Sequence, residues 1–484
     1  MELNTEQNIV AQIDFSAGLT PQQAEWIYQQ GKETVVFALL ALSKLAAEQK
    51  QTNLPAAIAA DPSMPSAQKP VFTKPNVSKK KRRKKPGRKD GHKGCRRELP
   101  TRIDRTVEHR AKSCPYCGCA DLQRRAAKRK RVIEDIPEDT RVETVEHDIY
   151  RDWCPKCEKI VEPVIADALP NSSIGNGILV LSAWLHFALG ATISQILAVL
   201  NFHLQFTMSS GGLVQMWHRL SDILWAWYEE ILEDIQKAGV LHGDETGWRV
   251  NGITHWLWCF TSLTATIFTV ERSRAGPVVL EFIKESFSGV FVSDFWYAYN
   301  VLTCAKQKCL AHLLRELKHV EQYKDCGGDW PRFGKKLKRL LRDAIRLRKC
   351  KGELSPQSYQ HRSERIEKRL KLLFEHKWSN KEARRLIKRL RRHQDEVFTF
   401  LQNDEVPYDN NFGERSIRGA VIMRKNSYNN RSERGALTQS VLMSVFFTLK
   451  QRGLNPVATV KKALKIYIES GNLPALKGIA VSNG

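Results

Sequence analysis

The sequence predicts an α+β protein of several domains, and three observations carry that prediction. Its 484 residues exceed what one hydrophobic core supports, so about three domains with connecting segments are expected. Two C-x2-C knuckles stand in the first third of the chain, a pattern typical of small metal-stapled modules. At Val240 the apolar pattern changes to the alternation of strands, and a helical pattern follows beyond it.

The chain opens with a helical segment, 1–50. Thr20 is an N-cap candidate, Pro21 fits the first helical position and Gln23 can close a capping box, so a helix is expected over 20–47. Trp26, Ile27, Val35, Leu39, Leu42 and Leu45 would form its apolar side, buried either by self-association or on the chain's own core. Residues 51–112 form a Pro/Ala/Ser-rich linker and a basic arm. Residues 79–97 hold twelve Lys/Arg against one Asp, beginning with the unbroken run Lys79, Lys80, Lys81, Arg82, Arg83, Lys84, Lys85 and continuing through Arg88. Together with 332–400, where 23 Lys/Arg face eight Asp/Glu, this stretch accounts for the formal charge of +25. Focused positive charge attracts polyanions, DNA above all, although a solvated basic linker has the same composition. Pro86-Gly87-Arg88-Lys89 and Gly91-His92-Lys93-Gly94 space cations with small residues, as an arm entering a minor groove requires.

Cys114-Pro115-Tyr116-Cys117 and Cys154-Pro155-Lys156-Cys157 are separated by 36 residues, and four thiolates so arranged complete a tetrahedral structural zinc site in a domain at 113–165. Val132 to Trp153 alternates and is rich in Val, Ile and Thr, which predicts strands of a zinc ribbon. Cys119 is a spare thiol beside the first knuckle. No apolar leader opens the chain, so cytoplasmic localisation is expected, and eleven cysteines then speak for metal ligation or burial rather than disulfides. Residues 178–200 are apolar but interrupted by Ser182, His186, Gly190, Thr192, Ser194 and Gln195, which predicts two buried helices and no membrane span. In the helical domain expected at 166–236, Thr192–Leu200 and Ser209–Leu220 have the layout of a helix-turn-helix with Gln215, His218 and Arg219 toward DNA; a plain helical hairpin fits the same spacing.

Strands are predicted over 240–250, 254–262 and 266–270, with Asn251-Gly252 specifying a type I′ hairpin, then a helix over 277–287 and a fourth strand over 289–292. The order β-β-β-α-β is that of a ribonuclease-H-like core, assigned to 237–450. It sets Asp244 in the first strand beside Asp294 just past the fourth. Paired carboxylates suit two hard cations about 4 Å apart, which stabilise attacking and leaving oxygens at phosphorus. A third carboxylate is expected from a later helix, and Glu414 sits where one begins; Asn411 to Glu414 also fits a capping box, and Glu245 competes with Asp244 from the opposite strand face.

At this point the chain resembles the insertion sequence 66 transposases of the DDE class. The resemblance rests on the paired knuckles, Pro86-Gly87-Arg88 with Gly91-His92-Lys93-Gly94, Asp244-Glu245-Thr246-Gly247-Trp248, Ser293-Asp294-Phe295-Trp296-Tyr297-Ala298-Tyr299, Cys309-Leu310-Ala311-His312, and Asn410-Asn411 through Arg418 with Arg424-Lys425-Asn426. It spans about 80–470 and implies that Asp244, Asp294 and Glu414 are the catalytic carboxylates, holding two magnesium ions for which manganese can substitute. It also implies a helical insertion before Glu414 and hints at accessory transposition proteins.

The insertion, about 320–405, is readable in the residues themselves. Phe333, Leu337, Leu340, Ala344 and Leu347 form one apolar stripe, and Leu386, Leu390, His393, Val397 and Phe400 another, with Lys/Arg elsewhere to meet a duplex. Cys309 and His312 could be half of a zinc site, but no second pair is visible, and packing with substrate contact is the preferred reading. Residues 451–484 form a helical tail. The expectation as a whole is an α+β multidomain DNA transposase: a zinc ribbon and helical DNA-binding region followed by a ribonuclease-H-like catalytic core. Its partners would be transposon-end and target DNA and further copies of itself, with Arg415, Arg418, Arg424 and Lys425 joining the basic arm in holding DNA. A non-catalytic DNA-binding regulator and a structure-selective nuclease on the same core are the alternatives.

Overall fold

The computed structural model describes residues 21–29, parts of 31–39, and residues 100–478 apart from 113–115, 124–130, 138, 325 and 428. The basic run Lys79 to Arg88, the linker before it and Cys114 lie outside the described residues. Two compact units divide the chain: Pro75–Asp148 with Ala198–Thr207, and the remainder.

In the smaller unit the described residues from 131 to 148 form no strand. Alternation predicted a ladder over Val132 to Trp153. A ladder needs a partner that buries one face, and Ile133, Ile136 and Val145 are all exposed. The antiparallel pair that does form belongs to the larger unit. It joins β1, Asp152–Cys154, to β2, Lys159–Val161, so that the knuckle Cys154–Cys157 sits at its turn.

The larger unit begins with α1, Pro21–Gln29. The predicted apolar stretch 178–200 resolves into α2, Asn176–Phe187, and α3, Ile193–Leu204. No helix among the described residues is long and apolar enough to cross a membrane. In α4, Ser210–Ile223, Ser209 caps the first turn by accepting from Gly212 N at 3.1 Å. Trp217 of α4 donates to Ser182 of α2 at 3.1 Å and stacks on His186, which buries both aromatic rings between the helices. Helix α5, Trp225–Gln236, leads into the sheet.

Five strands form that sheet in the order β5-β4-β3-β6-β7. Strands β3, Val240–Val250, β4, Ile253–Thr261, and β5, Thr266–Glu271, are antiparallel, while β6, Val290–Ser293, and β7, Lys306–Lys308, run parallel to β3. The hairpin after β3 has φ 48° at Asn251 and 76° at Gly252, the double positive φ of a type I′ turn. Helix α6, Gly276–Phe282, supplies the crossover between β5 and β6 and ends five residues before the predicted limit of 287. Strand β7, three residues long, was not expected from the sequence. Gly243 is required inside β3 because a Cβ there would stand 2.3 Å from the Phe291 ring on the neighbouring strand.

From β7 the chain enters α7, Leu310–Tyr323, then α8, Trp330–Lys349, α9, Pro356–Glu375, α10, Lys381–Arg392, and the single turn α11, Thr399–Gln402. Both predicted apolar stripes are buried in one cluster with Leu313, Leu317 and Trp330, apart from His393, which is buried against Glu396; Val397 and Phe400 belong to it from beyond the end of α10. The chain returns through α12, Asn411–Ser416, α13, Arg418–Ser427, α14, Glu433–Gln451, and α15, Pro456–Ser470. Helix α14 covers the open edge of the sheet: Ser444 Oγ accepts from Phe268 N at 2.8 Å and Thr448 Oγ1 from Thr266 N at 3.0 Å, satisfying edge donors that β5 would otherwise expose. The same helix packs on α2, α4 and α5, and α15 packs on α2. The expected borders at 236/237 and 450/451 therefore fall inside one packed unit, because α14 is buried on nearly every side and ties both flanks to the sheet.

Candidate active site

Three backbone anchors bring the expected carboxylates to one end of the sheet. The parallel register Val240↔Val290, Leu241↔Phe291, His242↔Val292 carries Asp244 and Asp294 to the same level on adjacent strands. Past β6, Cys309 N donates to Ser293 O at 2.9 Å. Asn410 then closes the ring: its N donates to Cys309 Sγ at 3.2 Å, its Nδ2 to Gly243 O at 2.8 Å, and its Oδ1 pairs with His242 Nδ1 at 2.8 Å. Glu414 N bonds back to Asn410 O at 3.0 Å, so the first turn of α12 starts from β3 itself. The capping box that Asn411 to Glu414 could form does not occur. Asn410 is the N-cap without a side-chain cap bond, and Asn411 Nδ2 donates to Asp409 Oδ2 at 2.7 Å.

Asp244 and Asp294 are both buried, and each is held far from its ordinary acidity. Burial pushes the Asp244 carboxyl well up, reinforced by the negative fields of Glu245, Asp294 and Glu414. Asp294 is pushed up to about 7 by burial and by Glu245, against the opposing pull of Trp296 N–H, Lys308 and Arg274. Its Oδ1 accepts from Trp296 N at 2.8 Å, whereas Oδ2 is buried with no hydrogen-bond partner among the described residues. A buried carboxylate oxygen without a donor, beside a second carboxylate destabilised in the same way, is a cradle that a hard cation would satisfy.

Glu245, the competing ligand on the opposite strand face, is already engaged. Arg274 reaches its Oε1 with Nε at 3.1 Å and Nη2 at 2.6 Å, and the Tyr299 hydroxyl donates to Oε2. The Arg274 guanidinium lies 3.5 Å over the Trp296 ring and 4.5 Å from Trp256, so the pair is clamped between indoles. Lys308 on β7 is fully buried and donates to Ser293 Oγ at 3.2 Å; burial lowers its ammonium to about 8. Arg274, Tyr299 and Lys308 were not picked out from the sequence as site residues. Tyr299 closes the motif that begins at Ser293 and Lys308 directly precedes the one that begins at Cys309, whereas Arg274, between β5 and α6, belongs to no motif.

Glu414 shares the electrostatic surroundings of Asp244 but is turned toward α7. Its Oε1 accepts from Arg315 Nη2 at 2.8 Å and lies 3.6 Å from His312 Nδ1. Among the described residues, the group of three metal-type ligand atoms that falls within 4.8 Å is Cys309, His312 and Glu414. The Cys309 thiol is buried and pushed up to about 12.

The expected DNA-facing cations divide into two kinds. Arg415, Arg418 and Lys425 are exposed. Arg424 instead turns inward, donating to Thr246 Oγ1 at 3.0 Å and Gly247 O at 2.5 Å, so it braces β3. On α4, Gln215 is exposed, but His218 bonds Thr438 Oγ1 at 2.7 Å and Arg219 donates to Pro170 O at 2.6 Å; both are spent on intramolecular packing rather than offered to a groove. Cys117 and Cys119 are exposed in the smaller unit, and Cys154 and Cys157 stand at the β1–β2 turn of the larger one.

A family model described as "Transposase IS66 family" matches residues 171–438, from just before α2 into the first turns of α14. The chain is also similar to "Uncharacterized protein y4hP" of Sinorhizobium fredii (strain NBRC 101917 / NGR234), with 22% identity over 420 residues that cover 79% of this chain and 74% of that protein.

Proposed function

The chain belongs to the Transposase IS66 family, and from that premise we propose that it is a DNA transposase that cleaves transposon ends and joins them to target DNA at Asp244, Asp294 and Glu414. The observation that carries this reading is the buried pair Asp244–Asp294, each raised in proton affinity first by burial and then by Glu245, with Asp294 adding to the effect on Asp244 and its own Oδ2 left without a donor among the described residues. The sheet order, with three antiparallel strands followed by two parallel ones, supports a ribonuclease-H-like core.

Asp244 and Asp294 would hold two magnesium ions, for which manganese can substitute, and Glu414 would complete the set from α12. When bound, those ions supply charge neutralisation at phosphorus and favour the ionised form of the attacking oxygen. The protein's own residues do the rest. Asn410 fixes the start of α12 against Gly243, Trp296 N–H orients Asp294, and Arg274 with Lys308 keeps positive charge behind the acidic pair. In the first reaction water attacks the phosphodiester at the transposon end and the 3′-oxygen leaves as a hydroxyl. That hydroxyl then attacks a target phosphodiester, forming one new phosphodiester and releasing a target 3′-hydroxyl.

Exposed cations of the insertion, among them Lys335, Lys336, Arg384, Lys388 and Arg392, support sequence-independent contact with phosphates. The basic arm and a structural zinc held by Cys114, Cys117, Cys154 and Cys157 belong to the same proposal, as do self-association and accessory proteins. The test is strand transfer with terminal DNA. Asp244→Asn, Asp294→Asn and Glu414→Gln should each abolish cleavage and joining while end binding persists, and manganese should partly restore them. Undiminished strand transfer in all three variants would remove the enzyme reading. Cleavage that never proceeds to joining would leave a nuclease.

A further inference from the structure

We infer that Cys309, His312 and Glu414 form a second metal site, selective for a borderline-soft divalent ion of the zinc class, which shares Glu414 with the proposed catalytic set. The inference rests on that functional reading only for its consequence in catalysis; the site itself stands on geometry. Cys309 precedes the first residue of α7 and His312 lies in its first turn, so their three-residue separation projects both into one space. Asn410 bonds Cys309 Sγ from the other side and starts the helix that delivers Glu414. One sulfur, one imidazole nitrogen and one carboxylate oxygen thus lie within 4.8 Å of one another. Ligands in a tetrahedral zinc site stand about 3.5 Å apart, a closure that rotation of the partly exposed Glu414 side chain can supply.

Donor chemistry separates this site from its neighbour. Thiolate and imidazole favour zinc over magnesium, whereas Asp244 and Asp294 offer oxygen alone. Two donors are buried and the third reaches the surface, which leaves the ion an entry path and a fourth position open to water. Arg315 now supplies the positive charge at Glu414 Oε1, at 2.8 Å and with its own side chain half exposed. A metal ion and the Arg315 guanidinium therefore compete for one carboxylate. Zinc held here would draw Glu414 toward α7 and away from Asp244 and Asp294, so the site would act as a brake.

The experiment counts zinc bound to the full chain after chelator stripping, by calorimetric titration with zinc sulfate. Wild type should bind one equivalent more than Glu414→Gln and one more than Cys309→Ala, with the four knuckle cysteines intact in every variant. Because Cys309 is a core residue and Glu414 also belongs to the proposed catalytic set, the near-isosteric Cys309→Ser decides the matter if Cys309→Ala fails to fold. Arg315→Gln should bind the same equivalent about two- to fivefold more tightly, since an exposed competing ion pair is removed. Cobalt substitution should add one thiolate's worth of charge-transfer intensity to that of the knuckle cysteines, and this increment should be absent in Glu414→Gln and Cys309→Ala. Equal stoichiometry in wild type and Glu414→Gln overturns the site. If that equality appears while Asp294→Asn abolishes cleavage, only this inference falls. If the equivalent is lost in Glu414→Gln while Asp294→Asn cleaves normally, the metal site stands and the catalytic reading falls.

Discussion

Replacing Asp294 with Asn should stabilise the metal-free protein at pH 8 and should do so much less at pH 5. Burial and the field of Glu245 move the Asp294 carboxyl from its ordinary 3.8 to about 7. Between those values the folded protein keeps a proton that the unfolded chain has lost. Stability therefore falls as pH rises through that window and stays at the lower level above it. A displacement of about three units, at roughly 1.4 kcal/mol each, makes the ionised carboxylate cost about 4 kcal/mol above pH 7. At pH 5 little more than one unit of that window has been crossed, and the cost is roughly 1–2 kcal/mol. Asparagine keeps the acceptor for Trp296 N–H but places amide hydrogens where Oδ2 has no partner, a loss of about 1–3 kcal/mol. The net gain is then about 1–3 kcal/mol at pH 8 and close to zero at pH 5. Urea unfolding in EDTA at both pH values measures it. Magnesium added at pH 8 should raise the stability of wild type and leave the variant nearly unchanged. A variant no more stabilised at pH 8 than at pH 5 would refute the argument, because the proton held by Asp294 would then not be the quantity that couples folding to pH.

Two further outcomes are expected outside the core. Serine at Cys114, Cys117, Cys154 and Cys157 should remove one tightly bound zinc and unfold the β1–β2 module, since Trp153, Ile160 and Val161 are exposed and give it no core of its own; less than about half an equivalent in wild type purified without chelator overturns this. Serine at Lys79 through Lys85 should flatten the dependence of log affinity on log salt by several units, because each phosphate contact contributes a slope of about 0.9; an unchanged slope means that the run does not touch DNA.

The local pattern of the chain determined its elements. Asn251-Gly252 specified a type I′ hairpin because both residues tolerate positive φ, and both adopt it. Alternation located β3, β4, β5 and β6 to within a residue or two, and 3.6-residue periodicity marked Phe333, Leu337, Leu340, Ala344 and Leu347 as a core stripe that is buried throughout. These signals are readable because each depends on neighbours a few residues away. The same logic failed over the described residues from 132 to 148, where alternation had no partner strand to pack against, and only Asp152 and Trp153 at its end pair, in β1 with β2. It also gave no sign of the intramolecular partners of Arg424, His218 and Arg219, whose hydrogen bonds run to Gly247, Thr438 and Pro170.

Only the tertiary structure decided what surrounds each carboxylate. Asp244 was identifiable as an acid in a strand with Glu245 beside it, but its raised proton affinity comes first from burial, then from Glu245, and then from residues 50 and 170 positions away. The alternative ligand Glu245 was set aside by Arg274 and Tyr299, which reach it from elements beyond the hairpin. Glu414 was visible as a helix-start acid, yet its orientation toward Arg315 and His312 depends on Asn410 tying α12 to β3 across more than 160 residues. Hydrophobic spacing is a property of adjacent residues and survives in the sequence. Desolvation and long-range charge exist only once the sheet has closed around them, and the chemistry of this site depends on both.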